Sequence, residues 1–238
     1  AELLKVSPLT LLGIGVEYDS RSRSVFGRRR QVEEGADQIL HIIDPLAYLV
    51  SSPQYDDVMT RAITAQSAIA QSADSGVVRQ HLEIFAARKE NYRLRRPTMI
   101  TMLSEQSIER FLQKGVCDAV QMTDELRVEA RKVAALEVER MIEMIEAEPI
   151  GLQFSVLTDV ENTTNCMLMR GRERMMLAIN PFRCDTSPTA TTGVSLVTSA
   201  PEAVNAHQRV IEVLWAASLK GREASERLRN LLALHAIQ

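Results

Sequence analysis

Residues 165–179 read NCMLMRGRERMMLAI, two apolar runs joined around Arg170-Gly171-Arg172-Glu173. Apolar segments either side of a short, polar, glycine-containing turn predict a β-hairpin. Just upstream, LQFSVL (152–157) places Leu152, Phe154 and Val156 at a spacing of two, which puts them on one side of a strand. TMITML (98–103) reads as a buried strand, and GVSLVT (193–198) supplies another after a Pro/Ser/Thr loop at 181–192. Helical patterns separate these strands. The fold expected is therefore α/β: a small, mostly antiparallel or mixed sheet flanked by helices, with an N-terminal helical remnant.

The clearest helix is TDELRVEARKVAALEVERMIEMIEAEP (123–149). Thr123 supplies a cap, Asp124 and Glu125 suit the positive end of the helix dipole, and Pro149 closes the run. Leu126, Ala130, Ala134, Val138, Met141 and Ile145 form an apolar stripe that serves either packing on a sheet or a dimer seam. Ser104 and Gly115 bracket a short helix in SEQSIERFLQKG, and Ser52-Pro53 starts another whose face is Val58, Ala62, Ala65 and Ile69. A further helix carries Val78, Leu82 and Phe85 inward and ends in Lys89, Arg93, Arg95 and Arg96. Basic residues in a last turn favour the negative helix end, which gives this cluster a structural explanation. Ile39, Ile42, Ile43 and Leu46 recur at helical spacing in GADQILHIIDPLAYLV (35–50), so this segment too is expected to be helical, broken before Pro45. Ser199 and Glu202 stand in capping-box spacing ahead of a helix with Val204, Ile211 and Leu214, and a charged, Leu-rich helix follows Gly221.

At 238 residues the chain can bury a sizeable core, and its 45% apolar and 25% charged residues are ordinary for a globular protein. A net charge of −3 argues against a nucleic-acid surface spread over the whole chain, while leaving room for a local patch. Cys117, Cys166 and Cys184 are odd in number and stand in no metal-ligand spacing, so they read as reduced thiols in a cytoplasmic protein. No secretory h-region and no run of 18 apolar residues occurs, so neither export nor a membrane partner is expected.

Positive evidence of catalysis is lacking. GxGxxG, a Walker-type phosphate loop, GxSxG and HExxH are absent, and the histidines at 41, 81, 207 and 235 stand apart from one another. His207 lies on an apolar helix side between Ala203 and Val210 and reads as a satisfied core histidine. No catalytic residue, metal ligand or cofactor is assigned. The candidate ligand-binding residues are Arg170, Arg174, Asn180 and Arg183, drawn from MRGRERMMLAINPFRCD (169–185), where polar groups collect at the ends of apolar strands. They form either a turn with solvated arginines or a pocket in which arginine clamps a small anion. EYDSRSRSVFGRRRQVEEG (17–35) carries five arginines between positions 21 and 30 and is read as a basic linker. Its arginines, Arg28, Arg29 and Arg30 among them, form either a solvated face or contacts to DNA phosphates.

AELLKVSPLTLLGIG (1–15) resembles the last helix and turn of a Cro/CI-type helix-turn-helix domain of the XRE family, through Ala1, Leu3, Leu4, Val6, Ser7, Pro8, Leu11 and Leu12. Three later stretches resemble, in order, the C-terminal sensor half of bacterial XRE-type regulators. They are RQHLEIFAARKENYRLRRPTMITMLSEQSIERF, VERMIEMIEAEPIGLQFSVLTD and GVSLVTSAPEAVNAHQRVIEVLWAASLKGREASERL. Parts of the last also resemble phospholipase-D-like sensor domains, without the HxKxxxxD motif that phosphodiester chemistry needs. The resemblance implies residues 1–16 as the end of a helix-turn-helix domain, 17–35 as the linker and 36–238 as a ligand-sensing and dimerisation domain. It further implies a homodimer, a small-molecule effector, and contact with DNA through helices upstream of residue 1. Two other readings stand beside it: a degenerate hydrolase-like enzyme with a non-obvious active site, and a structural adaptor dimerising through 123–148.

Overall fold

The computed structural model describes residues 15–20, 22–43, 46–69, 75–116, 122–158, 165–180 and 193–235. Among these residues seven strands form one sheet: β1 (Val16–Asp19), β2 (Ala36–Ile43), β3 (Thr98–Ser104), β4 (Leu152–Leu157), β5 (Asn165–Gly171), β6 (Met175–Asn180) and β7 (Ser195–Thr198). Their order is β1-β7-β6-β5-β2-β3-β4. β2, β3 and β4 run parallel, and the remaining neighbours are antiparallel. The helices are α1 (Ser22–Glu34), α2 (Pro53–Ile69), α3 (Ser75–Arg95), α4 (Glu105–Lys114), α5 (Asp124–Ala147), α6 (Pro201–Ala217) and α7 (Gly221–Leu234). The mixed α/β class expected from the sequence is the one found.

Side-chain alternation divides the core in two. On one face Ile39, Met99, Leu103, Phe154, Val156, Met167 and Met169 meet apolar residues of α1 to α5 and α7. On the other, Ile42, Met102, Leu157, Cys166, Leu168 and Leu177 meet Val204 and Ile211 of α6. The parallel strands are thus covered on both sides, which is why they read as nearly continuous apolar runs. The 165–179 hairpin forms as β5 and β6: Arg170 pairs with Met175, and the Gly171 N–H donates to the Arg174 carbonyl at 3.0 Å.

Several helix starts follow the sequence closely. Ser52, Ser104 and Thr123 accept the N–H groups of Tyr55, Ser107 and Leu126 at 3.1, 3.4 and 3.3 Å. The stripe on α5 faces inward: Ala130, Ala134, Val138, Met141 and Ile145 are all buried within the chain, so it offers no seam to a second copy. Cys166 is buried as well, and burial pushes its thiol up to about 12. Among the described residues no helix is long and apolar enough to cross a membrane.

Two expectations are corrected. Residues 36–43 form a strand, β2, followed by a single 3-10 turn at Tyr48–Val50. A spacing of three suggested one helical face, yet Ile39 and Ile42 have opposite parity and pack on opposite faces of the sheet. A central strand flanked by β3 and β5 buries both sides, so the alternation that marks a strand is lost. The capping box at Ser199 does not form either. α6 starts at Pro201 behind Ala200, whose N–H donates to Thr198 Oγ1 at 3.0 Å. The stretch 17–35 carries β1, paired with β7, and α1, packed on α3. Within it Arg28, Arg29 and Arg30 are matched by Glu17, Glu33 and Glu34 of the same stretch. Of the remnant at 1–16 only Gly15 and Val16 fall among the described residues.

Gly115 ends α4 at φ +89°, and a Cβ there would stand 2.8 Å from the Ala130 backbone. Gly115→Ala is therefore expected to destabilise the fold by about 2–4 kcal/mol, read as a lowered urea midpoint with unchanged slope.

Candidate functional site

The last turn of α1, the α1–β2 turn, the end of α3 and the β5–β6 turn meet at one end of the sheet. They enclose a cleft of about 520 Å³ whose lining includes Arg28, Arg95, Arg172 and Arg174 above Val32, Met169 and Met176. Close backbone approach builds this corner: a Cβ on Gly171 would stand 3.0 Å from the Gly35 carbonyl oxygen. The volume suits a small organic ligand, and the lining combines an apolar floor with a cationic rim.

The four arginines are not equivalent. Arg28 donates from Nε and Nη2 to the two carboxylate oxygens of Glu17 at 2.8 Å each, and from Nη1 to Gln31 Oε1 at 3.3 Å. Arg95 reaches Asp37 at 3.3 Å and also binds the Glu34 carbonyl, so it closes the C-terminal end of α1. Arg172 and Arg174 are exposed at the hairpin tip, and among the described residues neither side chain has an ion pair or hydrogen bond. Glu34 and Glu173 also line the cleft, with Glu34 3.4 Å from Arg30.

The opposite side of α1 carries a sealed charge cluster. Glu33 accepts from Arg29 at 2.9 Å and from Arg88 of α3 at 2.7 and 2.9 Å. Burial alone pushes the Glu33 carboxyl up, but Arg88 and Arg29 outweigh it and bring the pKa down to about 2. His41 lies nearby on β2, sharing a 2.8 Å hydrogen bond between Nε2 and Thr101 Oγ1. Its Nδ1 is buried without a partner. Burial, then the charge of Arg29, lowers the His41 pKa to about 3, so the ring is neutral.

Sequence reasoning reached part of this cleft. Arg174 and Arg28 line it, one named as a ligand contact and the other as a phosphate contact. Arg170 belongs to the face of Leu168 and therefore points to the other side of the sheet from Met169. Asn180 is buried at the far end of β6, about 17 Å along the strand from Met175 by strand rise. Arg29 is taken up by Glu33, Arg30 stands beside Glu34, and Arg183 lies outside the described residues. Arg95 and Arg172 complete the rim without having been chosen. Strand parity would have traded Arg170 for its neighbours, whereas nothing in the sequence brings Arg95 to the hairpin. Among the described residues no cluster of three or more His, Cys, Asp or Glu could hold a metal ion.

No protein-family model matches the chain, and no curated protein matches it. Among solved structures, the chain is similar to TrmBL2, described as an archaeal chromatin protein with a novel mode of DNA binding. The two share 10% identity with a TM-score of 0.40 over 92% of this chain and 59% of that one. The chain thus spans somewhat under two thirds of that protein's length.

Glu33 and His41 both give an acid-labile fold. Each has a folded pKa depressed below its usual value, so its contribution is complete above that value and is lost as pH falls toward the folded one. The His41 contribution declines from about pH 6.5 and the Glu33 contribution from about pH 4.5. Replacing His41 with Gln is expected to flatten the stability curve between pH 6.5 and 4.5 in urea titrations, leaving the steeper loss below 4.5.

Proposed function

We propose that this chain is the effector-sensing and dimerisation region of a cytoplasmic DNA-binding transcriptional regulator, and that the arginine cleft receives a small anionic effector. One observation carries the reading: the fold brings Arg172 and Arg174, exposed cations without partners among the described residues, to a cleft whose opposite wall is α1. α1 follows β1, and β1 follows the stretch that resembles the end of a helix-turn-helix domain. An anion bound between hairpin and α1 would then act on the element leading to a DNA-reading head. In a homodimer, favouring one arrangement of α1 changes the spacing of two such heads. The homodimer itself is supported by the family resemblance.

The reading involves no catalysis. The strongly perturbed titratable groups, Glu33, His41 and Cys166, are all buried, and none lines the cleft. They read as structural groups rather than as an acid–base pair.

Titration of the purified chain with succinate, followed by calorimetry, tests the cleft. Replacing both Arg172 and Arg174 with Ala is expected to weaken binding by about tenfold or more, since charge-assisted hydrogen bonds are lost. Both side chains are exposed, and unpaired among the described residues, so the thermal midpoint should hardly move. Equal affinity in the double variant would remove the cleft as the effector site. Native mass spectrometry on the same sample reads the oligomeric state, and a monomer at all concentrations would remove the dimer.

A further inference from the structure

Arg28, whose side chain lines the cleft, already holds a carboxylate that belongs to the chain. Glu17 of β1 grips Arg28 with two parallel bonds of 2.8 Å, the fork-to-fork geometry by which a guanidinium receives any carboxylate. The third nitrogen of Arg28 points to Gln31, and both residues line the cleft. We infer that Glu17 is a tethered competitor for an anionic, carboxylate-bearing ligand, which displaces it from Arg28 on entering the cleft. The inference rests on the cleft being the effector site.

Exchange is feasible here for reasons that do not apply to the neighbouring pair. Arg28 and Glu17 keep 15% and 14% of their side-chain surface in solvent, whereas Arg88 and Glu33 keep 2% each. Removing a partner from a sealed pair strands a buried charge, at a cost of several kcal/mol. Replacing Glu17 by an incoming carboxylate leaves Arg28 paired, and Glu17 can turn to water. It sits on a four-residue edge strand whose next residue, Tyr18, is 66% exposed. Arg172 and Arg174 face the same space, so a ligand carboxylate on Arg28 could be bonded by a second guanidinium as well, beside the Glu34 and Glu173 that also line the cleft.

The exchange has a mechanical result. Among the described residues β1 pairs with β7, and the Glu17–Arg28 pair is one of its ties to α1. Ligand entry removes that tie and so loosens the strand against α1. Glu17 also sets a threshold, because a weak anion cannot outbid a carboxylate held permanently within reach.

Calorimetry with succinate on the wild type, Glu17→Gln, and the Arg172/Arg174 double-alanine variant tests this. Hydrogen exchange of the residue 16–19 amides is measured alongside. Glu17→Gln removes the competing charge while keeping the shape, and should tighten succinate binding about three- to tenfold. Succinate should speed exchange at residues 16–19 in the wild type, and Glu17→Gln should show the faster exchange without ligand. Binding that needs Arg172 and Arg174 but is unchanged or weaker in Glu17→Gln overturns the competitor and leaves the cleft standing. Succinate binding indifferent to Arg172 and Arg174 overturns the cleft reading itself. Should Glu17→Gln lose its fold, slowed or unchanged exchange at 16–19 in the succinate-bound wild type is enough to overturn the inference.

Discussion

Everything at the candidate site depends on one buried carboxylate. Glu33 takes three hydrogen bonds from Arg29 and Arg88, and this charge cluster is where α1 and α3 are joined. Arg88 of the cluster lies over the rings of Tyr48 and Phe85, and both it and Glu33 keep only 2% of their side-chain surface in solvent. Such a cluster adds little net stability, because desolvation offsets most of the attraction, yet it tolerates very few arrangements. It fixes the rotation of α1 about its own axis. With Arg29 and Glu33 turned inward, Arg28, Gln31 and Val32 must line the cleft.

The run of arginines in α1 is therefore three different things by helical phase. Arg29 is a core residue, Arg28 belongs to the cleft, and Arg30 makes a half-exposed pair within its own helix. Composition cannot separate these roles, since all three are consecutive and chemically identical. Phase can, once one residue is known to be buried. At the hairpin the same logic applies with a period of two: Arg172 and Arg174 reach the cleft around the turn, while Arg170 is carried to the opposite face.

Much of the fold was legible because local chemistry and tertiary structure agree. Ser52, Ser104 and Thr123 cap helices where their hydroxyls predict it, and the 165–179 hairpin closes on the expected turn. Legibility failed where burial removes contrast. β2 is apolar on both sides because sheet and helices cover it, and His41 within it is polar only to meet Thr101. It also failed where a site is assembled from distant segments. Arg95 stands more than 70 residues from the hairpin in sequence and looked like a helix-end cation, which it also is: it binds the Glu34 carbonyl. The cleft uses that same side chain a second time, and no local pattern records a second use.

Pairing of β1 with β7 has a consequence for the order of assembly. Asp19 and Ser195 lie side by side although roughly 180 residues separate the two strands, so this contact closes most of the chain into one loop. The contacts among β2, β3, β4 and the helices between them span far shorter distances and can form first. β1 is then the last strand to join the sheet, and, with four residues at an open edge, the first to leave it in any partial opening. β1 is thus the least cooperative unit of the described sheet, and it can leave and rejoin its edge while β2 to β6 stay paired.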